Sequence, residues 1–238
     1  MIYISAAPEY INDVKGLGKP LLHMAYSFDR PFPEHSIFGG MMAVYGGIRS
    51  NRINDIIREC RLRGCTGVVA GYGYSSVLET MRLAEALGRR NIRFYIMEES
   101  FVSDAGAIAV ISTAISGVTL SGRLKAAVRR YGASHIALDF ERLRHIFPLP
   151  SSDGNGSLLE KEEFDRLLRD SETAVSLSSD LCCKYFTCSE SGAQRFVLFD
   201  DAETLKMKIS LAASLGINEG FVMYPEWDIE SLKAINRL

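Results

Sequence analysis

The feature that most constrains this chain is a repeated unit: an amphipathic helix, a glycine, then within a few residues an apolar run of strand length. Over 51–63, Ile53, Ile56, Ile57 and Cys60 share one helical face, Gly64 follows, and Gly67-Val68-Val69-Ala70 begins a strand. The helix over 77–87 opens with a Ser76-x-x-Glu79 capping box and reaches Gly88 before Ile92-Arg93-Phe94-Tyr95-Ile96-Met97. A helix over 121–131 ends at Gly132 ahead of His135-Ile136-Ala137-Leu138. Another over 202–215, opened by Asp200-x-x-Glu203, ends at Gly216 ahead of Phe221-Val222-Met223-Tyr224. Alternation of this kind implies parallel strands joined by crossover helices, and over 238 residues it points to one α/β domain spanning 1–238, a (β/α)₈ barrel of TIM type, incomplete or distorted in places.

Earlier strands fit at 2–6, 21–27 and 41–45, and Ala107 to Ile115 is a further strand with too little chain before it for a helix. Two stretches depart from the repeat. Residues 148–157 read as a loop, and 184–199 as a β-hairpin turning at Ser189 to Ala193, added to the barrel.

Charge narrows the function classes. Twenty-seven Lys and Arg against 29 Asp and Glu, with no block of one sign, argue against a nucleic-acid or membrane-surface partner. The longest uncharged stretch, Ala105 to Gly122, holds too many Ser, Thr and Gly for a spanning helix. The start, Met1-Ile2-Tyr3-Ile4-Ser5, has no basic residues ahead of its apolar ones and reads as a first strand, so a cytoplasmic location is expected. Cys60, Cys65, Cys182, Cys183 and Cys188 form an odd set without a second Cys-x-x-Cys or His-x-x-x-His pair. They are expected to be buried small side chains rather than zinc ligands or disulfides, and no metal or cofactor is expected. His23, His35, His135 and His145 show no ligand spacing and are read as structural.

Several segments, in order, resemble family 18 glycoside hydrolases, the chitinase-like group, and most of all its spore-cortex-lytic branch. Leu22-His23-Met24-Ala25-Tyr26-Ser27-Phe28 resembles that family's second strand, and Met42-Ala43-Val44-Tyr45-Gly46-Gly47 its third, with Val44 where the family has serine. Phe196 to Lys208, followed by Leu215-Gly216-Ile217-Asn218-Glu219-Gly220, resembles its last helix and eighth strand. The resemblance implies a barrel that binds an amino-sugar glycan of chitin or peptidoglycan type. On the fourth strand the family carries Asp-x-x-Asp-x-Asp-x-Glu, the glutamate protonating the leaving oxygen while the substrate's acetamido group attacks. Here the inward positions of that motif fall on Val69, Gly71 and Gly73, none of which donates a proton. The implied protein is a glycan-binding pseudoenzyme. The family's Met-x-Tyr-Asp on strand six falls on Leu138-Asp139-Phe140-Glu141, and its strand-eight tryptophan on Tyr224, with Trp227 close behind.

Barrel enzymes work at the C-terminal ends of their strands, so acids there are the place to seek replacement chemistry. Glu98 and Glu99 follow one strand, and Asp139 with Glu141, two apart, share a face at the end of another. An atypical glycosidase would use one of each pair. The structural alternative is that Glu98 or Glu99 caps the next segment and Glu141 pairs with Arg142 or Arg144. Tyr72, Tyr74, Tyr224 and Trp227 are candidate stacking surfaces for a sugar ring. A third class, a nucleotide or phosphate site, rests on Gly71-Tyr72-Gly73-Tyr74-Ser75-Ser76, whose last residue is better explained as a helix cap.

Overall fold

The computed structural model describes residues 1–32, 38–70, 73, 75–102, 106–150, 156–170, 174–190 and 192–235. Strands β1 (Ile2–Ala6), β2 (Leu21–Ser27), β3 (Met41–Tyr45), β4 (Gly67–Ala70), β5 (Arg93–Met97), β6 (Ile108–Ser112) and β7 (Ile136–Asp139) follow one another around a closed parallel barrel. Between β7 and the last barrel strand lies an antiparallel insert of β8 (Arg144–Leu149), β9 (Ser157–Leu158), β10 (Ser176–Ser178), β11 (Cys183–Glu190) and β12 (Ala193–Phe199), ordered β10-β11-β12-β8-β9. Strand β13 (Gly220–Tyr224) then pairs with both β7 and β1 and closes the ring. The eight-stranded barrel is the one the helix–glycine–strand repeat predicts. The expected hairpin pairs in register from Lys184↔Phe199 to Glu190↔Ala193, but it forms the middle of a five-stranded sheet. Residues 148–150, read as loop, belong to or follow the edge of that sheet, because Arg195 pairs with Pro148 and Gln194 with Leu149.

Helices α1 (Ile11–Val14), α2 (Ile53–Arg63), α3 (Val77–Gly88), α4 (Leu120–Tyr131), α6 (Ala202–Ser214) and α7 (Ile229–Ala234) lie outside the barrel, and α5 (Lys161–Asp170) lies on the insert. Their ends follow local chemistry. At Gly64, φ is +66°, and the Cys65 N–H reaches the Cys60 carbonyl across it at 2.9 Å, which ends α2. Gly88 does not end α3 that way; it is helical, and Asn91 takes the positive φ instead. Ser76 caps α3 as its capping box predicts, accepting from the Glu79 N–H at 3.2 Å. The α6 cap, however, is Asp201, which accepts from the Glu203 and Thr204 N–H groups, both at 3.0 Å. Asp200, expected to cap, is fully buried in an ion pair with Lys208 at 2.6 Å.

Side-chain alternation sorts the core into layers. Tyr3, Met41, Ala43, Val69, Tyr95, Val110, Ala137 and Phe221 fill the barrel, while Val68, Ile96, Ile111, Leu138 and Val222 face the helices. The lower end is closed by a polar network: Arg93 donates to Glu219 and to the Tyr3 hydroxyl, and the Tyr95 hydroxyl donates to Glu219 at 2.8 Å. The insert packs Ile146, Phe186, Val197 and Phe199 against Phe164 and Leu167 of α5. All five cysteines are buried. Among the described residues no helix is long and apolar enough to cross a membrane.

Candidate functional site

The upper, C-terminal end of the barrel is built by period-two alternation. Ala137 faces inward, so Asp139 does too; Val110 faces inward, so Ser112 does, and the two residues are register partners across β6 and β7. Glu141, just past β7, turns back over this end, where the Ser112 hydroxyl donates to its carboxylate at 2.9 Å. Asp139 and Glu141 are thus brought to one place, and Glu141 pairs with Ser112 rather than with an arginine. Removal from water, then the Glu141 and Glu226 charges, pushes the Asp139 pKa up from 3.8 to about 7. Glu226 is raised as well, by desolvation and by Glu141, although Arg142 and Arg144 oppose the shift. The resulting arrangement holds a carboxylic acid half-protonated near neutral pH beside a carboxylate oriented by a hydroxyl. Such a pairing is chemically able to give and take a proton.

Glu98 lies elsewhere. Met97 faces the barrel, so the next residue turns outward, and Glu98 receives Arg123 and the Tyr131 hydroxyl, the latter at 3.1 Å, tying β5 to α4. Glu99 is exposed on the same single turn.

The aromatic candidates divide. Tyr72 and Tyr74, and with them Gly71, lie outside the described residues. Tyr224 has the parity of Val222, not of Phe221, so it faces out of the barrel: its ring packs edge-on against Tyr10 at 5.4 Å and its hydroxyl donates to Asp13 at 3.4 Å. Met223 takes the inward position. Trp227 is wholly buried, its indole N–H donating to the Phe140 carbonyl at 2.6 Å and the Arg142 guanidinium over its ring at 5.3 Å. With both faces covered it is unavailable for stacking on a sugar; it braces the β7 end that carries Asp139 and Glu141.

Gly73 explains the wall opposite. Its φ is +152°, and a Cβ built there would lie 2.4 Å from the Gly46 carbonyl carbon and 2.5 Å from the Gly47 nitrogen. The loops after β3 and β4 therefore touch backbone to backbone, which no side chain at 73 permits. Ser112 and Glu226 were not among the residues singled out from sequence. Ser112 lay within a recognised strand candidate, and the register that sets it beside Asp139 is not written locally. Glu226 follows Tyr224-Pro225 and carries no motif. His23 is buried with Nε2 3.2 Å from the Gly39 carbonyl, and burial lowers its pKa, a structural placement. Among the described residues no three His, Cys, Asp or Glu side chains converge as a metal site.

No family model matches the sequence. No curated protein matches it either. Solved structures do. The spore cortex-lytic enzyme SleL of Bacillus megaterium superposes with a TM-score of 0.68 at 11% identity, over 99% of this chain and 73% of that one. A family 18 glycoside hydrolase, the N-acetylglucosaminidase of Paenibacillus barengoltzii, gives 0.71 at 12% identity over 100% and 99%. A family 18 chitinase of Cycas revoluta, solved with (GlcNAc)4, gives 0.62 at 11% identity over 99% and 98%. In fold, this chain is a chitinase-like barrel.

Proposed function

We propose that this barrel binds an amino-sugar glycan, of chitin or peptidoglycan type, at the C-terminal end of its strands, and that the fourth-strand proton donor of the chitinase-like group has no counterpart in it. The observation that carries the second half is the contact of Gly73 with Gly46 and Gly47, which leaves no room for an acid where the resemblance would put one. The first half is supported by the fold, shared with a chitinase solved with (GlcNAc)4. It is supported also by the acidic, hydroxyl-bearing rim of Ser112, Asp139, Glu141 and Glu226, groups suited to sugar hydroxyl and amide protons. Calorimetric titration with N-acetylglucosamine oligomers tests it, with Trp227 fluorescence followed in parallel. The indole contacts Phe140 and Arg142, so occupation of the rim should reach it indirectly. Absence of heat at millimolar ligand overturns the binding reading.

One observation favours a second reading, that the barrel cleaves a glycosidic bond with relocated carboxylates. Asp139, protonated in part at neutral pH, would give its proton to the leaving glycosidic oxygen, while Glu141, held by Ser112, would act as base toward water or as nucleophile. A screen of peptidoglycan and chitin fragments, then Asp139→Asn and Glu141→Gln in any fragment that turns over, separates the readings. Glu98→Gln and Glu99→Gln complete the set. Turnover that survives both Asp139→Asn and Glu141→Gln removes the relocated-acid reading.

A further inference from the structure

The ring of helices has a gap. The connection from β5 to β6, residues 98–107, is shorter than the dozen residues or more that a crossover helix normally needs, and its described residues hold one 3-10 turn, Glu98–Ser100. Among the described residues no helix lies between α3 and α4 on the outside of the barrel. A cleft of about 1200 Å³ opens there, lined by Leu78, Met81, Gly88, Ile92, Phe94 and Ile108, with a second of about 450 Å³ beside it against Tyr131. Along its border α3 presents apolar side chains to solvent: Val77 is 60% exposed, Leu78 57% and Met81 40%. These are large side chains on a helix whose other face, Leu83, Ala84 and Leu87, is already buried.

We infer that the gap is filled by α3 of a second copy of this chain, the two helices packing antiparallel about a twofold axis. The charges on the helix select that occupant. Glu79, Arg82, Glu85 and Arg89 alternate in sign at spacings of three or four along α3 and into its first residue beyond. Laid antiparallel on itself, this row sets Glu79 against the partner's Arg89 and Arg82 against the partner's Glu85, with the same pairs repeated across the axis. All four contacts are of opposite sign. A parallel pairing would oppose like charges at every step, so the pattern excludes that alternative as well as favouring this one. Size is complementary in the same register. Leu78 falls beside the partner's Gly88, where a built Cβ meets nothing within 4 Å. Arg89 and Glu85 already pair within the helix at 2.6 Å, but both are more than half exposed and remain open to the second copy. Exposed ion pairs contribute little individually, so the apolar ridge in the cleft supplies the affinity and the charges set the register. The interface is isologous, as a closed dimer requires.

Light scattering on the eluting full-length protein, and sedimentation equilibrium, should give twice the 26.4 kDa chain mass. Met81→Glu should return it to monomer. Arg82→Glu and Glu85→Arg should each weaken the dimer at least tenfold, and the double reversal Arg82→Glu with Glu85→Arg should restore it, since both Arg82–Glu85 pairs across the axis are then reformed with their signs exchanged and the Glu79–Arg89 pairs are untouched. The three side chains are exposed, and an unchanged melting temperature at high dilution confirms that each variant folds. A wild-type chain that stays monomeric up to millimolar concentration overturns the inference. So does a dimer that survives Met81→Glu, which would place the interface elsewhere, and so does a double reversal that fails to restore what the single reversals lose.

Discussion

Replacing Asp139 by Asn should stabilise the protein in alkaline solution by roughly twice as much as at about pH 5. The Asp139 carboxyl titrates at about 7 in the folded chain against its ordinary value of 3.8, because the barrel end withholds water from it and because the Glu141 and Glu226 carboxyls lie nearby. The folded state therefore keeps this proton over a pH range in which the unfolded state has released it. Stability then falls as pH rises from about 4 to about 7 and is constant above, where both states are ionised. A tenfold change in the dissociation constant is worth ~1.4 kcal/mol, so the full displacement from 3.8 to about 7 corresponds to ~4 kcal/mol. Asp139 is only partly buried and some of the repulsion passes through solvent, so about 2–4 kcal/mol is the expected penalty at high pH. Asn has nearly the same shape and no charge, and so removes that penalty. For a chain of this size a kilocalorie moves the melting temperature by about 2–4 °C, giving a rise of roughly 5–15 °C. Urea denaturation and thermal melts of both proteins at about pH 5 and about pH 8.5 measure the effect. An Asn variant no more stable than the parent at the higher pH, or one equally stabilised at both, refutes the reasoning. A side chain whose removal stabilises the fold is kept for another purpose, which is why Asp139 leads the candidate site.

Lys208→Met should cost about 3–5 kcal/mol in urea denaturation, because it strands the buried Asp200 carboxylate that also accepts from the Leu143 N–H and the Thr204 hydroxyl; the double change with Asp200→Asn should recover most of it. Gly73→Glu should destabilise the fold by more than about 2 kcal/mol and yield no hydrolysis of N-acetylglucosaminide reporters, since its Cβ collides with the Gly46–Gly47 backbone; a stable, active variant would contradict the account of that wall. Glu98→Gln should lower stability by about 1 kcal/mol through its lost pairing with Arg123 and leave glycan titrations unchanged, whereas a change in affinity would place Glu98 at the site. Trp227→Phe keeps the packing but loses the donor to the Phe140 carbonyl, and should cost about 1–3 kcal/mol and weaken ligand binding only indirectly, through the β7 end.

Some of this protein was written in the chain itself. The barrel follows from helix-length apolar faces, glycine stops and strand-length apolar runs that alternate along most of the chain, local signals that packing overrode only in detail, as where Asn91 rather than Gly88 takes the positive φ after α3. That Asp139 and Glu141 share a face followed from strand period, and Ser76 was legible as a cap from its spacing to Glu79; that the shared face points into the barrel was decided by packing around Ala137. Other assignments hinged on a single residue of register. Asp200 and Asp201 both offer a carboxylate at the start of α6, and only the burial of Lys208 beside the first decides that the second does the capping. Tyr224 and Met223 alternate along β13, and only its pairing with β1 and β7 decides which of them faces the site. Trp227 was placed near the right strand end but on the wrong side of it, because whether an aromatic ring is a platform or a brace depends on what covers its faces. The carboxylate cluster depends most on tertiary structure. Ser112, Asp139, Glu141 and Glu226 come from three strand ends as far as 114 positions apart, 226 − 112, and a pKa is set by solvent and charge at distances that sequence does not encode.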